Sequence, residues 1–555
     1  MERFWLRSYP AGVPSDIGPL GQSSLVEMFE DAVGRFAERP AFLNMGCALS
    51  YAELDRLSAA FAAFLRKDLG LSPGARVALM MPNTLQYPVA MFGVLRAGCV
   101  VVNVNPMYTP RELEHQLVDS GAQVLVVLEN FAHTVERIPI ALRPAHVVVT
   151  GLGDLLGSVR GRLVNFAVRH VRRLVPAWSL PGCVAMKSAL QSGARAGFDR
   201  YAPEPGDIAY LQYTGGTTGR ARGVVLTHGN IVANMTQARL WIRPWVREGE
   251  ELIVTALPLY HIFSLTANCL VYGSLGATNL LITNPRDIGA FVRELRKYRF
   301  TAMTGVNTLF NALLNHPDFA RIDFSALKIT LGGGMSVQRA VAERWRKHTG
   351  VALIEAYGLT EASPAVSINP LDLDCFNHTI GLPLPSTEVS IRDDACQELP
   401  PGQAGELCIR GPQVMREYWN RPEETAEAFT PDGYFRSGDI ATIDERGYLS
   451  IVDRKKDIIV VSGFNVVPNE VEDVVVSHPG VLEAAAVGVP DERTGEAVKL
   501  FVVRRDPALS EADVIAHCRG SLAPYKVPHR VEFREELPKT NVGKILRRQL
   551  RDSAA

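Results

Sequence analysis

The chain has 555 residues, more than one hydrophobic core usually organises, so at least two domains are expected. Hydrophobic residues make up 47% of the sequence and charged residues 21%, a composition that is ordinary for globular proteins and argues against disorder. The formal net charge of -1 provides no overall attraction for polyanions, so nucleic acid is not expected as a partner.

The 8 cysteines stand singly, without a Cys-x-x-Cys pair, which argues against a zinc ribbon and against a disulfide framework. The N-terminal residues include an early acidic side chain and no apolar stretch of signal-peptide length. Because no unbroken apolar run is long enough to span a bilayer, the sequence predicts a cytoplasmic protein.

Segments with helical and strand patterns alternate along the first part of the chain. Apolar residues at helical spacing predict helices, and short apolar runs predict buried strands. The predicted elements are a helix over Tyr51–Leu69, a strand over Val77–Met81, a helix over Leu85–Ala97, a strand over Val100–Val104, a helix over Pro110–Ser120 and a strand over Val124–Leu128. Such alternation implies parallel strands joined by right-handed crossovers, and therefore a layered α/β core.

Residues 159–178 combine regularly spaced apolar residues with a cluster of arginines. The arginines are Arg160, Arg162, Arg169, Arg172 and Arg173. A basic amphipathic helix of this kind can lie on an anionic membrane surface. Two interpretations remain open, a solvated helix docked on its own domain and peripheral contact with the cytoplasmic face of the membrane.

A glycine-rich loop over Tyr213–Gly223 follows the predicted strand Ile208–Leu211. Its glycines lack the β-carbon that would keep a phosphate away from backbone N–H groups, while its threonine hydroxyls and two arginines add donors and positive charge. The glycines and threonines are Thr214, Gly215, Gly216, Thr217, Thr218 and Gly219. The spacing does not match a Walker A loop. We therefore predict a polyphosphate-binding loop of another kind.

Three further motifs carry chemistry in the following residues. His261 stands between aromatic and apolar residues, a setting typical of a buried core histidine. The glycines of Leu331–Met335 would allow a flat ring to approach the backbone. In Tyr357–Glu361 a hydroxyl and a carboxylate stand together, which suits Mg²⁺ but, taken alone, is also typical of a helix cap.

Residues 383–411 are rich in Pro, Gly and alternating patterns, which predicts a smaller lobe built from hairpins. Asp439 ends the motif that begins at Asp432, where it is suited to bind both hydroxyls of a ribose, although turn chemistry alone also explains it. A charged cluster at Asp453 marks the predicted domain boundary, and the residues beyond it suffice for a small domain. Near the end, Lys544 follows a glycine in a basic segment, where a lysine is normally a solvated charge.

The order and separation of these motifs resemble the adenylate-forming enzymes, the superfamily of acyl-CoA synthetases, firefly luciferases and peptide-synthetase adenylation domains. Residues 432–457 and 462–472 are similar to the long-chain fatty-acid CoA ligases. Residues 9–14 and 103–114 are similar to the bacterial branch of these ligases. The matching segments run along the whole chain.

The resemblance implies a large multi-lobed α/β domain over residues 1–453, with a β-rich lobe at about 383–453, and a small mobile α+β domain over residues 454–555. It implies a hinge at Asp453, Lys544, His261 and Glu361 as catalytic residues, and Thr214 and Glu361 as magnesium ligands. Besides the loop glycines and threonines, the implied ATP- and AMP-binding residues are Gly333, Gly334, Tyr357, Gly358, Thr360, Asp439 and Arg454. The implied CoA-binding residues are Ser462, Gly463 and Phe464.

The implied reaction uses ATP, Mg²⁺ and CoA to convert a long-chain fatty acid into acyl-AMP and then into acyl-CoA. Two alternatives share the fold, namely a ligase for medium-chain or aryl acids and a fatty-acyl-AMP ligase. A non-catalytic fatty-acid-binding or uptake protein is a third alternative, which the combined presence of Thr214, Glu361, Asp439, Arg454 and Lys544 argues against. Whether the chain forms a homodimer is left open.

The sequence departs from the family pattern at two positions. The phosphate loop ends in Arg222-Gly223 where the family usually has Lys-Gly, and arginine keeps the charge but not the compact geometry of lysine. Ser437 stands where the family commonly has threonine, a change that keeps the hydroxyl. The role of Arg222 is therefore a question for the structure.

Overall fold

The computed structural model describes residues 3–215, 221–454, 457–462, 464–491, 493–540 and 543–553. Within these ranges the chain is a mixed α/β structure with four sheets, which confirms the predicted α/β class. No helix among the described residues is long and apolar enough to cross a membrane. The 8 cysteines are all free.

Strands are numbered along the described part of the chain. Those before residue 370 are β1 (Pro40–Asn44), β2 (Cys47–Ser50), β3 (Arg76–Met80), β4 (Val100–Asn103), β5 (Val124–Leu128), β6 (His146–Thr150), β7 (Val184–Ala185), β8 (Ile208–Gly215), β9 (Ala221–Thr227), β10 (Leu252–Thr255), β11 (Thr278–Leu281), β12 (Ala302–Gly305), β13 (Ile329–Gly332), β14 (Leu353–Gly358) and β15 (Ala365–Ile368). The later ones are β16 (Leu382–Pro383), β17 (Glu388–Arg392), β18 (Gly405–Arg410), β19 (Glu417–Tyr418), β20 (Phe435–Ile443), β21 (Leu449–Arg454), β22 (Ile459–Val461), β23 (Phe464–Val466), β24 (Val481–Asp491), β25 (Gly495–Arg504) and β26 (Arg530–Arg534).

The helices are numbered in the same way. They are α1 (Leu25–Phe36), α2 (Tyr51–Ala63), α3 (Gln86–Arg96), α4 (Pro110–Ser120), α5 (Ala132–Glu136), α6 (Ser158–Phe166), α7 (Met186–Ala196), α8 (His228–Ile242), α9 (Ile262–Ser264), α10 (Ile288–Leu295), α11 (Asn307–Leu314), α12 (Arg339–Thr349), α13 (Pro422–Glu427), α14 (Pro468–Val476), α15 (Glu511–Arg519) and α16 (Arg547–Asp552). Short π-helical segments extend α2 over Phe64–Asp68, α6 over Ala167–Val171 and α9 over Leu265–Tyr272.

Two large sheets form the core of the first 380 residues. One has the strand order β19-β9-β8-β4-β3-β5-β6-β7 and the other β16-β15-β14-β13-β12-β10-β11-β1-β2. Their central strands are parallel and joined through helices, as the alternating pattern predicted. Parallel strands place their carboxyl ends at one edge of a sheet, and ligands usually bind there. Gly332 ends β13 and Gly358 ends β14 at this edge of the second sheet.

Two smaller sheets complete the described structure. The antiparallel sheet β17-β18-β20-β21 forms the lobe that the turn-rich composition predicted. The last sheet has the order β23-β22-β25-β24, with β26 added alongside β25. Its core is separate and consists mainly of valine, leucine and alanine side chains from β22, β24, β25, α14 and α15. Asp453, the expected hinge, lies within β21 rather than after it, since this strand continues to Arg454.

Candidate active site

The predicted phosphate loop is the end of an antiparallel hairpin formed by β8 and β9. Thr214 pairs with Arg222 and Gly215 pairs with Ala221, so the strands extend further into the glycine-rich motif than the apolar pattern indicated. Gly223 in β9 packs closely, because a β-carbon there would come within 3.2 Å of the Tyr213 ring. The loop residues Gly216, Thr217, Thr218 and Gly219 lie outside the described residues.

Glu361 lies in a short 3₁₀ turn, Thr360–Ala362, directly after β14. Its side chain is buried, and Oε1 accepts a hydrogen bond of 2.9 Å from the Tyr418 hydroxyl. Its backbone carbonyl accepts a hydrogen bond of 2.7 Å from the amide of Met415. Because β19 pairs with β9, the segment around Met415 and Tyr418 that contacts Glu361 is also attached to the β8–β9 hairpin, which is called the phosphate hairpin below.

The donor set around Glu361 fits magnesium. The buried Glu361 carboxylate and the Thr214 hydroxyl both offer the hard oxygen ligands that Mg²⁺ takes. The described residues contain no group of three or more His, Cys, Asp or Glu side chains that could hold a metal. Mg²⁺ usually takes one or two protein carboxylates and completes its coordination with water and substrate phosphates.

Asp439 is the centre of a second polar cluster. Its Oδ2 accepts a hydrogen bond of 2.5 Å from the Tyr357 hydroxyl, and its Oδ1 lies 3.7 Å from Nε of Arg454, its cross-strand partner in β21. Burial raises the pKa of Tyr357, so its hydroxyl remains a donor. Ser437 accepts from the Asp439 amide and donates to the Leu407 carbonyl, so it makes the contacts that the hydroxyl of a threonine would make.

Three glycines bring backbone close to this cluster. Gly334 has φ of +79°, a conformation that favours glycine, and a β-carbon there would lie 3.1 Å from Cε of Lys544. At Gly333 a β-carbon would lie 3.2 Å from the Phe263 ring, and at Gly358 it would overlap the Pro364 carbonyl oxygen. The small residues predicted from the sequence therefore line a crowded cleft in which Lys544 is one wall.

Lys544 enters this cleft from the last part of the chain. The preceding residue, Gly543, accepts a hydrogen bond of 3.0 Å from the Thr308 hydroxyl of α11. Desolvation and then the charge of Arg454 lower the pKa of Lys544 to about 8, while Asp439 and Glu361 act in the opposite direction. The ammonium group is thus close enough to both predicted acidic residues to interact with them electrostatically.

His261 lies near Lys544 and is neutral. Burial, assisted by the charge of Lys544, lowers the pKa of His261 to about 3. Its Nδ1 accepts a hydrogen bond of 3.3 Å from the Phe263 amide, which places the ring proton on Nε2. A neutral imidazole of this tautomer can donate one hydrogen bond to a carboxylate.

The predicted CoA-binding residues lie on another part of the last sheet. Ser462 has φ of +51°, and its amide donates to the Thr494 carbonyl. Phe464 is 57% exposed and stacks on Tyr525 with ring centroids 5.0 Å apart. Gly463 lies outside the described residues. The structure therefore brings Lys544, and not this turn, to Gly334.

Sequence reasoning missed several residues that support the site. Tyr418 contacts Glu361, and Arg547 donates to Asp453, the expected hinge residue, and to Glu472. Arg547 could have been found from the sequence, because it lies three residues after Lys544 in the same terminal motif. For Tyr418 the only local signal was an aromatic pair in a loop, which is not specific.

Comparison with known proteins identifies the family. The description "AMP-binding enzyme" matches residues 29–419, and "AMP-binding enzyme C-terminal domain" matches residues 470–544. The chain belongs to the AMP-binding enzyme family. A long-chain-fatty-acid–CoA ligase of Escherichia coli O6:H1 is 58% identical over 554 residues, covering 100% of this chain and 99% of that protein. A ligase of the same name from Haemophilus influenzae is 51% identical, with 100% and 98% covered.

Solved structures of other AMP-binding enzymes share the fold. The anthranilate CoA ligase AuaEII in complex with anthranoyl-AMP gives a TM-score of 0.85 at 25% identity, covering 97% of this chain and 98% of that one. ATP-bound MatB from Rhodopseudomonas palustris gives a TM-score of 0.78 at 28% identity, covering 95% and 98%.

Proposed function

We propose that this chain is an ATP-dependent long-chain-fatty-acid–CoA ligase. Relatives with that name, 51% to 58% identical along essentially the whole chain, support the substrate class. One structural observation supports the chemistry: Lys544 reaches Gly334 from the last part of the chain, within electrostatic range of Asp439 and Glu361.

In the proposed first half-reaction, a carboxylate oxygen of the fatty acid attacks the α-phosphorus of ATP, and the bond to the pyrophosphate oxygen breaks. Asp439 and Arg454 hold the ribose, and Tyr357, Gly358, Thr360, Gly333 and Gly334 form the adenine side of the site. The ammonium of Lys544 stabilises negative charge that builds up at the α-phosphate. His261 donates a hydrogen bond from Nε2 to the carboxylate of the acid, and so orients it.

The hairpin residues Thr214 and Gly215, with residues 216–219, bind the departing pyrophosphate in this proposal. Magnesium, when bound, offsets the charge of the phosphates. Glu361 and Thr214 are its proposed protein ligands. The hydrogen-bond partner of the Glu361 carboxylate, the Tyr418 hydroxyl, carries no charge that would pair with it.

In the second half-reaction the CoA thiol gives its proton to solvent, its sulfur attacks the acyl carbonyl carbon, and the carbon–oxygen bond to AMP breaks, so that AMP leaves. We propose that residues 454–555 move as a unit about Asp453 relative to residues 1–453, which include the lobe at about 383–453. This movement would replace Lys544 with the turn that contains Ser462, Gly463 and Phe464. Closure in each state excludes water from the acyl-adenylate.

The test is a two-part assay of the purified chain with ATP, Mg²⁺ and CoA. Pyrophosphate release and thioester formation are measured for saturated acids of increasing length and for aryl acids. The highest kcat/KM for long-chain acids is expected. A preference for medium-chain or aryl acids contradicts the substrate class, adenylate without thioester indicates a fatty-acyl-AMP ligase, and no pyrophosphate with any acid contradicts the proposed function.

We propose in addition that the basic segment 159–178, which contains most of α6 and its π-helical extension to Val171, contacts an anionic membrane surface. It packs on its own domain through Gly161, Val164 and Val168, while five other apolar side chains of the segment are 55% to 71% exposed. These are Val159, Leu163, Phe166, Val171 and Leu174. Val159, Leu163 and Phe166 recur at helical spacing in α6, Val171 ends the π-helical segment, and Leu174 follows it.

The charge around these side chains favours an anionic bilayer as the surface that they contact. Arg162, Arg172 and Arg173 are exposed beside the apolar side chains, and an exposed apolar surface with a basic rim is typical of interfacial helices. Vesicles of phosphatidylglycerol with phosphatidylcholine are expected to bind the chain, and neutral vesicles to bind it less. Replacing the three arginines by Glu should abolish binding to the anionic vesicles, whereas Arg247→Glu with Arg321→Glu should not. Unchanged binding after the first replacement contradicts the proposal.

Light scattering of the purified chain without vesicles measures whether it dimerises.

A further inference from the structure

Tyr418 connects the phosphate hairpin to Glu361. Its hydroxyl donates a hydrogen bond of 2.9 Å to Oε1 of Glu361, and the same oxygen accepts one of 2.9 Å from Nη2 of Arg222. The Arg222 guanidinium also lies over the Tyr418 ring, 3.9 Å from its centroid. The other terminal nitrogen of Arg222, Nη1, donates a hydrogen bond of 2.9 Å to Glu424.

The backbone holds Tyr418 in place from both sides. Tyr418 pairs with Val224 of β9, and the amide of Trp419 donates to the Gly223 carbonyl at 2.8 Å. On the other side, the Met415 amide donates to the carbonyl of Glu361 at 2.7 Å. The ring is therefore fixed relative to both the hairpin and the carboxylate.

The chemistry of the three side chains explains why a tyrosine stands between an arginine and a carboxylate. A direct ion pair would offset the charge of Glu361 and compete with a cation for it. A hydroxyl that donates to Oε1 fixes the rotation of the carboxylate without placing a second cation on it.

Arginine is suited to this position in a way that lysine is not. Its planar fork stacks on the ring while two separate nitrogens reach Tyr418 and Glu424. A lysine ammonium is a compact charge that could not stack in this way and contact both groups. The departure of Arg222 from the usual family residue is thus accompanied by a specific set of contacts.

We propose that Tyr418 is a positioning residue that orients Glu361 for Mg²⁺ and that Arg222 serves by holding Tyr418. This inference rests on the proposed function, in which Glu361 is a ligand of the metal. It assigns Arg222 a role through Tyr418 rather than a primary contact with the phosphates of ATP.

The first test is Tyr418→Phe, which removes the hydroxyl and keeps the ring. Binding of Mn²⁺, as a spectroscopic substitute for Mg²⁺, is measured by electron paramagnetic resonance in the presence of a non-hydrolysable ATP analogue. Loss of an outer partner of a metal ligand typically weakens metal binding about 10- to 100-fold, and this range is expected. The Mg²⁺ concentration for half-maximal pyrophosphate release should rise in parallel, with little change in KM for the fatty acid.

Tyr434→Phe is a matched control. Tyr434 also stacks with arginine side chains, and its hydroxyl donates to a glutamate, Glu388, at 3.0 Å. It lies in the β17-β18-β20-β21 lobe rather than beside Glu361, so Mn²⁺ binding should stay as in the unaltered chain. Thermal unfolding of both variants without ligand separates a folding defect from a metal defect.

Arg222→Lys tests the role proposed for Arg222, and it can be measured alone if Tyr418→Phe folds poorly. It should weaken Mn²⁺ binding in the otherwise unaltered chain. In the Tyr418→Phe background the further loss should be less than about 2-fold, because the effects of two substitutions that act through one contact are not additive. Additive effects, or a rise in KM for ATP without a change in metal binding, overturn the role given to Arg222. Unaltered Mn²⁺ binding by Tyr418→Phe overturns the role of Tyr418. Failure of the unaltered chain to release pyrophosphate with any acid would instead contradict the proposed function, because Mn²⁺ binding is measured without turnover.

Discussion

Replacement of Lys544 by alanine should separate the two half-reactions. The lysine lies against Gly334 and interacts with Asp439 and Glu361, so its loss removes positive charge from the place where the α-phosphate would react. Loss of one preorganised group that stabilises transition-state charge costs about 2.7–4 kcal/mol. At about 1.36 kcal/mol for each factor of ten, adenylate formation should fall about 100- to 900-fold. Thioester formation from supplied acyl-AMP should be largely retained.

The pH dependence provides an independent check on the same residue. The pKa of Lys544 is lowered to about 8, so the ammonium is charged below that pH and is lost as the pH rises through it. Adenylate formation should therefore decline on the alkaline side with an apparent pKa near that value. Lys544→Arg, whose side chain stays charged, should lower the rate but remove this alkaline decline.

Both half-reactions are measured on the same preparations, by pyrophosphate release with ATP and by thioester formation from acyl-AMP and CoA. Lys539→Ala is the control, because Lys539 lies in the same tail but forms an ion pair of 2.7 Å with Glu483. It should leave both half-reactions within about 2-fold, as expected for a partly exposed ion pair worth about 1 kcal/mol or less. Equal loss of both half-reactions in Lys544→Ala would refute the assignment of Lys544 to adenylate formation alone.

Three further predictions concern the cleft and the tail. Asp439→Asn should raise KM for ATP about 10-fold or more by removing a charged acceptor worth about 1.5–3 kcal/mol, as steady-state kinetics can show. Gly358→Ala should lower the free energy of unfolding measured with urea, because its β-carbon would overlap a backbone oxygen. Arg547→Met should lower the free energy of unfolding by about 3–5 kcal/mol, because it leaves buried carboxylates unpaired. Arg548→Met, at an exposed neighbour, should be nearly neutral in the same urea measurement.

Local signals were sufficient where one segment determines its own structure. Helix α4 was predicted to the residue, because Thr109 and Glu112 form a capping box, Pro110 occupies the first turn and Gly121 ends the helix with φ of +60°. The mostly parallel core followed from the same kind of local alternation. These features depend on contacts within a few residues, which the sequence displays directly.

The environment of the site depends on distant contacts and could not be predicted in this way. Apolar residues stop at Leu211, yet β8 continues to Gly215 because pairing with β9 satisfies the backbone of polar residues. Arg222 and Tyr418 are 196 residues apart in sequence, so no pattern near Arg222 could indicate its partner. The motif identified the residues of the site, and the tertiary structure supplied the contacts that explain Arg222.

The contacts of the tail suggest how one site can serve two reactions. Two hydrogen bonds across the proposed domain interface are Thr308 to Gly543 and Asn311 to Leu482. Each contributes about 0.5–1.5 kcal/mol, so a modest amount of binding energy could break them. Arg547, by contrast, contacts Glu472 within the C-terminal part and Asp453 at the proposed hinge, with both carboxylates buried. The strong contacts thus keep the moving part intact up to its hinge, and the weaker ones hold Lys544 in the cleft, which is the distribution that a rotation needs.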